Sequence, residues 1–170
     1  MLISLLNLIP IIHRIGLDIG ILLENIMEEF MRAAIEEAKL GLQEGGIPIG
    51  SVLVRDGKIV GRGHNRRVQN NDPLAHAEIE CLRNAGRIGA YANTILFSTL
   101  MPCYLCSGAI VQFGIEKVVV GESRSFEGDI EFFKDHWVTV DNWDWDECIE
   151  LMKEFMKKNP TLWNEDIGKL

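Results

Sequence analysis

The chain has 170 residues, 47% of them hydrophobic, enough to bury the core of one domain. Its formal net charge of −8 gives no general attraction to a phosphate backbone, which argues against broad electrostatic capture of nucleic acid. The densest basic patch, Arg62, Arg66 and Arg67, reads as the solvated end of a strand.

Residues 1–26 are rich in Leu and Ile, but Pro10, Arg14 and Asp18 interrupt them, so no run reaches the length of a membrane span. They lack the positive n-region and small-residue cleavage site of a signal peptide. They read as an apolar N-terminal extension of unknown role, with the recognisable domain covering residues 27–170. From Met27, the apolar positions Phe30, Ala33, Ala34, Ala38 and Leu42 form the stripe of a helix that Gly45-Gly46 ends. Residues 49–54 and 58–63 predict a strand pair turning at Arg55-Asp56-Gly57. A polar loop follows, then a helix over 75–85 stopped by Gly86, and a β-branched strand over 94–99. Pro102 opens a helix that runs to about Phe113, and Val118-Val119-Val120 is a short buried strand. A short helix over 128–134, a strand over 137–140 and an amphipathic helix over 144–157 complete the pattern, with a tail from Pro160. Strands alternating with helices indicate an α/β layered domain. The tight turn at Gly57 requires an antiparallel pair and the later β–α steps favour parallel pairing, so the sheet is mixed.

The chemistry lies in residues 74–109. His76-Ala77-Glu78 stands at the front of this stretch and Pro102-Cys103-Tyr104-Leu105-Cys106 near its end. Proline lacks an N–H and fits the first turn of a helix. Positions three apart share a helix face, and the helix N-terminus stabilises the thiolates that bind metal. A CxxC alone is equally a redox dithiol; His76 upstream turns the reading toward metal. One imidazole and two thiolates are three ligands, one fewer than a closed zinc site uses, which leaves a position for water. Residues two apart do not share a helix face, so Glu78 is better placed to reach that water than to join His76 as a ligand. His13, His64 and His136 read as structural, and Cys81 and Cys148, within helical patterns, as buried inert thiols. Four cysteines so arranged do not form a secreted disulfide framework, which points to a reducing, cytoplasmic compartment. The paired pattern H-x-E…P-C-x-x-C is that of zinc deaminases. In that chemistry zinc brings the pKa of water to about 7, and the carboxylate moves protons to a ring nitrogen and to the leaving amine. A structural zinc knuckle would use a fourth Cys or His, and none is spaced to serve.

Residues 27–170 resemble the yeast-type, zinc-dependent cytosine deaminases of the cytidine deaminase-like superfamily. The resemblance runs through Gly45-Gly46-Ile47-Pro48-Ile49-Gly50, Gly61-Arg62-Gly63-His64-Asn65, the two motifs, Val119-Val120-Gly121-Glu122, and Trp163-Asn164-Glu165-Asp166-Ile167-Gly168. It implies a three-layer α/β/α sandwich around a mixed sheet of about five strands. It further implies one Zn2+ per subunit on His76, Cys103 and Cys106, Glu78 as the proton shuttle, and a homodimer. Asn65 would hydrogen-bond the pyrimidine edge, the Ala77 backbone N–H would read the 2-oxo group, and Asp166 would receive the amino group. Phe126 and Trp163 match aromatic walls of the family, and Ile49 an apolar pocket residue. The implied reaction converts free cytosine, and also 5-fluorocytosine, to the 4-oxo base and ammonia by attack of zinc-bound hydroxide, in pyrimidine salvage. No nucleic-acid or membrane partner is expected.

Three departures accompany the resemblance. Ala77 stands where the family has Gly, which is tolerated if only the N–H is used. Met101 precedes Pro102 where Ser is typical, and narrows the pocket if it points inward. The flank Asp72-Pro73-Leu74-Ala75-His76-Ala77-Glu78 resembles the loop of transfer-RNA adenosine deaminases and bacterial guanine deaminases more than that of the yeast-type enzymes. Guanine, a nucleoside or transfer-RNA adenosine therefore stay open as substrates of the same zinc chemistry, and a non-enzymatic zinc module as a third reading.

Overall fold

The structure, a computed structural model, describes residues 19–169. Most of the apolar extension, residues 1–18, lies outside the described residues. Helix α1 (Ile19–Gln43) begins ahead of Met27, so the end of the extension and the start of the domain share one helix. Its buried stripe passes through Met31, Ala34, Ile35 and Ala38 at three- and four-residue spacing, while Leu42 points outward.

Strands β1 (Gly50–Arg55) and β2 (Lys58–His64) form the predicted hairpin, with Arg55 opposite Lys58. Asp56 and Gly57 both take positive φ, 51° and 70°, as a two-residue turn matching the twist of its strands requires. A single turn, α2 (Arg67–Asn70), precedes α3 (Ala77–Ala85). Then follow β3 (Thr94–Ser98), α4 (Tyr104–Phe113), β4 (Lys117–Val120), α5 (Ile130–Asp135), β5 (Thr139–Asn142) and α6 (Asp146–Lys158). The sheet order is β2-β1-β3-β4-β5, antiparallel through β1 and parallel from β3 to β5.

The strands alternate cleanly between two cores, which makes the domain the expected three-layer α/β/α sandwich with a mixed five-stranded sheet. Leu53, Leu96, Val118 and Val120 pack with Cys81 and Leu82 of α3, Ile110 of α4 and Phe133 of α5. Val52, Val54, Phe97 and Val119 pack on the opposite face with Met31, Ala34 and Ile35 of α1 and Cys148 of α6. A third cluster, built on Ile47, Ile49, Leu100, Phe155 and Trp163, gathers at one end of the sheet.

Two differences from the sequence reading are local. The last strand is 139–142, not 137–140, because Trp137 takes φ 61° and stands 90% exposed at the turn after α5. The tail is helical: Pro160 starts α7 (Pro160–Asp166) at a position where its missing N–H costs nothing. Among the described residues, no helix is long and apolar enough to cross a membrane.

Two glycines set the closeness of the layers. A Cβ on Gly50 would lie 2.0 Å from the Ala34 carbonyl oxygen, and one on Gly63 would lie 2.4 Å from the Cys81 nitrogen and 2.8 Å from the Ala77 oxygen. Since the obstructing atoms at Gly63 are backbone, Gly63→Ala forces β2 and α3 apart and costs about 1–3 kcal/mol. A lowered denaturant midpoint with an unchanged m-value is the expected result.

Candidate active site

The carboxyl ends of β3 and β4, the region where open α/β sheets place ligands, face the start of two helices. His76 is the N-cap of α3 and Cys103 the N-cap of α4, both extended, with ψ 157° and 173°. Neither side chain caps its own helix, which leaves the ring and the thiol for other partners. Cys106 sits in the first turn of α4, fully buried. Cys103 therefore reaches the same point from just outside the helix, and the two sulfurs do not share a helix face as the spacing had implied.

The ligand atoms of His76, Cys103 and Cys106 lie within 4.8 Å of one another, with Cys103 Sγ 3.5 Å from His76 Nδ1. Zinc–sulfur and zinc–nitrogen distances of about 2.3 and 2.0 Å give a tetrahedral edge of about 3.5 Å, so the cluster fits Zn2+. Beside it, Glu78 is buried in the first turn of α3; its Oε1 accepts from Ser98 Oγ at 3.1 Å and its Oε2 from the Cys106 thiol at 3.3 Å.

Charge in this cluster is shared unevenly. The hydrogen bond from Cys106 holds the Cys103 pKa down to about 4, and His76 adds to the effect against burial. The Cys106 thiol is correspondingly raised by its bond to Cys103 and by burial. Burial opposes the His76 imidazolium, but the Cys103 thiolate overrides it and raises that pKa. Burial, then the charge of Cys103, raises Glu78 above the usual carboxylate range. Cys81 and Cys148, by contrast, are buried free thiols pushed up to about 12 chiefly by burial, as inert residues are.

A cleft of about 290 Å³ opens over this cluster. His76, Ala77, Glu78 and Cys103 line its base, together with Asn65, Ile49 and Met101. Phe126, Trp163 and Asp166 complete the wall, so every pocket residue inferred from the sequence faces the same space. Cys106 lies behind the lining. Met101 lines the cleft, but it is buried, packs in the core cluster with Leu96, Ile110 and Phe133, and lies against Gly128. Asn65 is held by its N–H on the Ile49 carbonyl and is fully buried, and its Nδ2 has no hydrogen-bond partner among the described residues. An unpaired buried donor costs about 1–3 kcal/mol, which an acceptor on a ligand would recover.

Several residues of this region were not visible in the sequence. Ser98 ends β3 and holds Glu78; its place at the carboxyl end of a strand was the signal available. Leu100, Tyr104, Leu105 and Ile167 also line the cleft. Arg67, read as part of a solvated patch, is largely buried and pairs with Asp166 at 2.5 Å. Glu122 is fully buried: its Oε2 accepts the N–H groups of Arg124 and Ser125, and its carbonyl takes the Met101 N–H. His64 is structural as expected, lying between Glu37 and Glu44 at 3.0 and 3.2 Å.

Three ligand atoms within 4.8 Å of one another, with a cleft beside them, put this centre in the class of open, catalytic zinc sites. Residues 24–122 match the family described as the cytidine and deoxycytidylate deaminase zinc-binding region. The cytosine deaminase of Candida albicans is 41% identical over 142 residues, 82% of this chain and 95% of that protein. A solved structure from work on A-to-I editing by tRNA:A34 deaminases is 30% identical with a TM-score of 0.63, covering 73% of this chain and 99% of that one. Guanine deaminase from Bacillus subtilis is 34% identical with a TM-score of 0.53, over 63% of this chain and 74% of that one. The chain belongs to the zinc-binding deaminase family, and it is a zinc-dependent enzyme.

Metal requires neutral imidazole and thiolate sulfur, whereas Cys106 and His76 are both raised toward their protonated forms. Zinc binding to the metal-free protein at pH 7 is expected to release about one to two protons. Calorimetry in buffers of differing ionisation enthalpy reads this number, and a buffer-independent enthalpy would contradict it.

Proposed function

We propose that the enzyme hydrolyses free cytosine to uracil and ammonia, and accepts 5-fluorocytosine, as a step of pyrimidine salvage. The observation that carries this reading is the small cleft over the metal cluster, walled on its outer side by Trp163 and Asp166 of the C-terminal helix. Similarity along nearly the whole of the Candida albicans cytosine deaminase supports it. His76, Cys103 and Cys106 hold the metal. Bound there, zinc supplies a Lewis acid that makes water acidic enough to attack at neutral pH.

The protein's own groups do the rest. Glu78 would take one proton of the attacking water and pass it to ring N3, then take the second from the hydroxyl formed at C4 and pass it to the amine as the C4–N bond breaks, so that cytosine and water become uracil and ammonia. Ser98 keeps Glu78 oriented. The Asn65 Nδ2 and the Ala77 N–H, an amide of the first helical turn with no partner within its own helix, donate to the 2-oxo edge. Asp166 accepts from the amino group, and Ile49, Met101, Phe126 and Trp163 enclose the ring and exclude water.

Glu78→Gln should retain zinc and lose about 10²–10⁴-fold in kcat. A zinc-loaded Glu78→Gln protein with wild-type turnover would sink the mechanism. The substrate is tested by ammonia release from cytosine, guanine, cytidine, adenosine and an anticodon stem-loop. The second reading, a purine or transfer-RNA substrate, draws on the 72–78 flank and on likeness to the guanine deaminase and the tRNA:A34 deaminase structure. Faster turnover of a nucleoside or of the stem-loop than of cytosine would favour it.

We also propose that the chain works as a cytoplasmic homodimer. Leu74, Tyr104 and Leu105 are exposed beside the site, at 55%, 68% and 41%, and form an apolar face suited to a second copy. Sedimentation velocity should give a dimer that Leu74→Glu with Tyr104→Glu dissociates; a monomeric wild type would remove the proposal.

A further inference from the structure

Arg67 makes contacts with two residues that line the cleft. Its backbone N–H donates to Asn65 Oδ1 at 3.1 Å, and its Nη1 donates to Asp166 Oδ1 at 2.5 Å. Its Nη2 lies 3.6 Å from Glu165. The side chains of Arg67 and Asp166 are 12% and 6% exposed, so water does little to loosen the pair.

Each contact decides the face its partner presents. A side-chain amide can present either its oxygen or its nitrogen. A backbone N–H accepts nothing, so the Arg67 N–H selects the oxygen of Asn65 and sends Nδ2 away from itself. That nitrogen is buried without a partner among the described residues, in a residue that lines the cleft. Asp166 comes from a short helix whose apolar contacts through Trp163 and Ile167 fix the helix and not the rotation of a carboxylate. The guanidinium occupies Oδ1, which keeps the group an acceptor and leaves Oδ2 for a ligand. The Arg67 Nε is itself buried and unpaired among the described residues, so the guanidinium is oriented by its carboxylate and not by a full set of acceptors.

We propose that Arg67 is a positioning residue that determines specificity: its backbone sets Asn65 as the donor and its guanidinium sets Asp166 as the acceptor. The distance and angle between donor and acceptor, which select an aminated ring edge, are then held by one residue. The proposal rests on the reading in which Asp166 receives the substrate's amino group.

The test uses the zinc-loaded, full-length enzyme. Arg67→Ala keeps the backbone contact to Asn65 and removes the guanidinium. Its KM for cytosine is expected to rise about 10- to 100-fold with kcat within about threefold. Inhibition by pyrimidin-2-one, which keeps the ring and 2-oxo group but has no amino group, is expected to change by less than about threefold. Arg67→Lys, which returns a single charge without the planar fork, should recover part of the KM. Should the alanine variant unfold, the lysine variant carries the same comparison, with a raised KM for cytosine and an unchanged inhibition constant. Equal weakening of cytosine and pyrimidin-2-one, or wild-type KM in Arg67→Ala, would overturn the proposal. The series is run on whichever base the wild type turns over fastest. A base other than cytosine then removes the substrate reading, while wild-type KM in the variant on that base removes the role of Arg67.

Discussion

Two helices, α3 and α4, point their N-termini at the same volume above the end of β3. Each terminus carries partial positive charge and a set of amides without intrahelical partners, so the space between them favours anions. Into that space the chain places two cysteine sulfurs and the Glu78 carboxylate, all close to His76. Without metal the anions share protons unevenly, as the opposed shifts of Cys103 and Cys106 record. A divalent cation replaces those protons and so keeps both sulfurs as thiolates, the charge that both helix ends favour. The three layers of the fold hold these two helix starts against the sheet, and the cleft is built around the point where they meet.

The extended conformation of His76 and Cys103 follows from the same arrangement. A residue that ends a loop and begins a helix usually spends its side chain on its own first turn. Here both turn away from that use, and the metal-binding chemistry takes the place of the cap.

The centre of the site was legible because its parts are local. His76 and Glu78 are two residues apart, Cys103 and Cys106 three, and each pair stands at a helix start that loop and proline signals announce. The sheet was legible through the alternation of Val52, Leu53 and Val54 and through the Val118-Val119-Val120 run. What could not be read depends on tertiary distance. Arg67 and Asp166 are brought together by the packing of α7, and nothing near Arg67 in the chain distinguishes a buried guanidinium from a solvated one. Glu122 was singled out only by resemblance, and its use of one carboxylate oxygen to hold two backbone amides needed the folded loop to be seen. The shift of the last strand came from Trp137, whose left-handed backbone no pattern of hydrophobicity predicts.

The near-contact of Gly63 with the backbone of α3 gives the two halves of the cleft different capacities for change. The base rests on main-chain atoms already at their closest approach, so an exchange there displaces Glu78 and His76 with it. The walls rest on side chains from the loop after β4 and from α7. A lineage built on this scaffold can therefore alter what enters the cleft through Phe126 or Trp163 while the reacting centre remains where it is. Shape diversifies at the rim; reactivity is inherited through the floor.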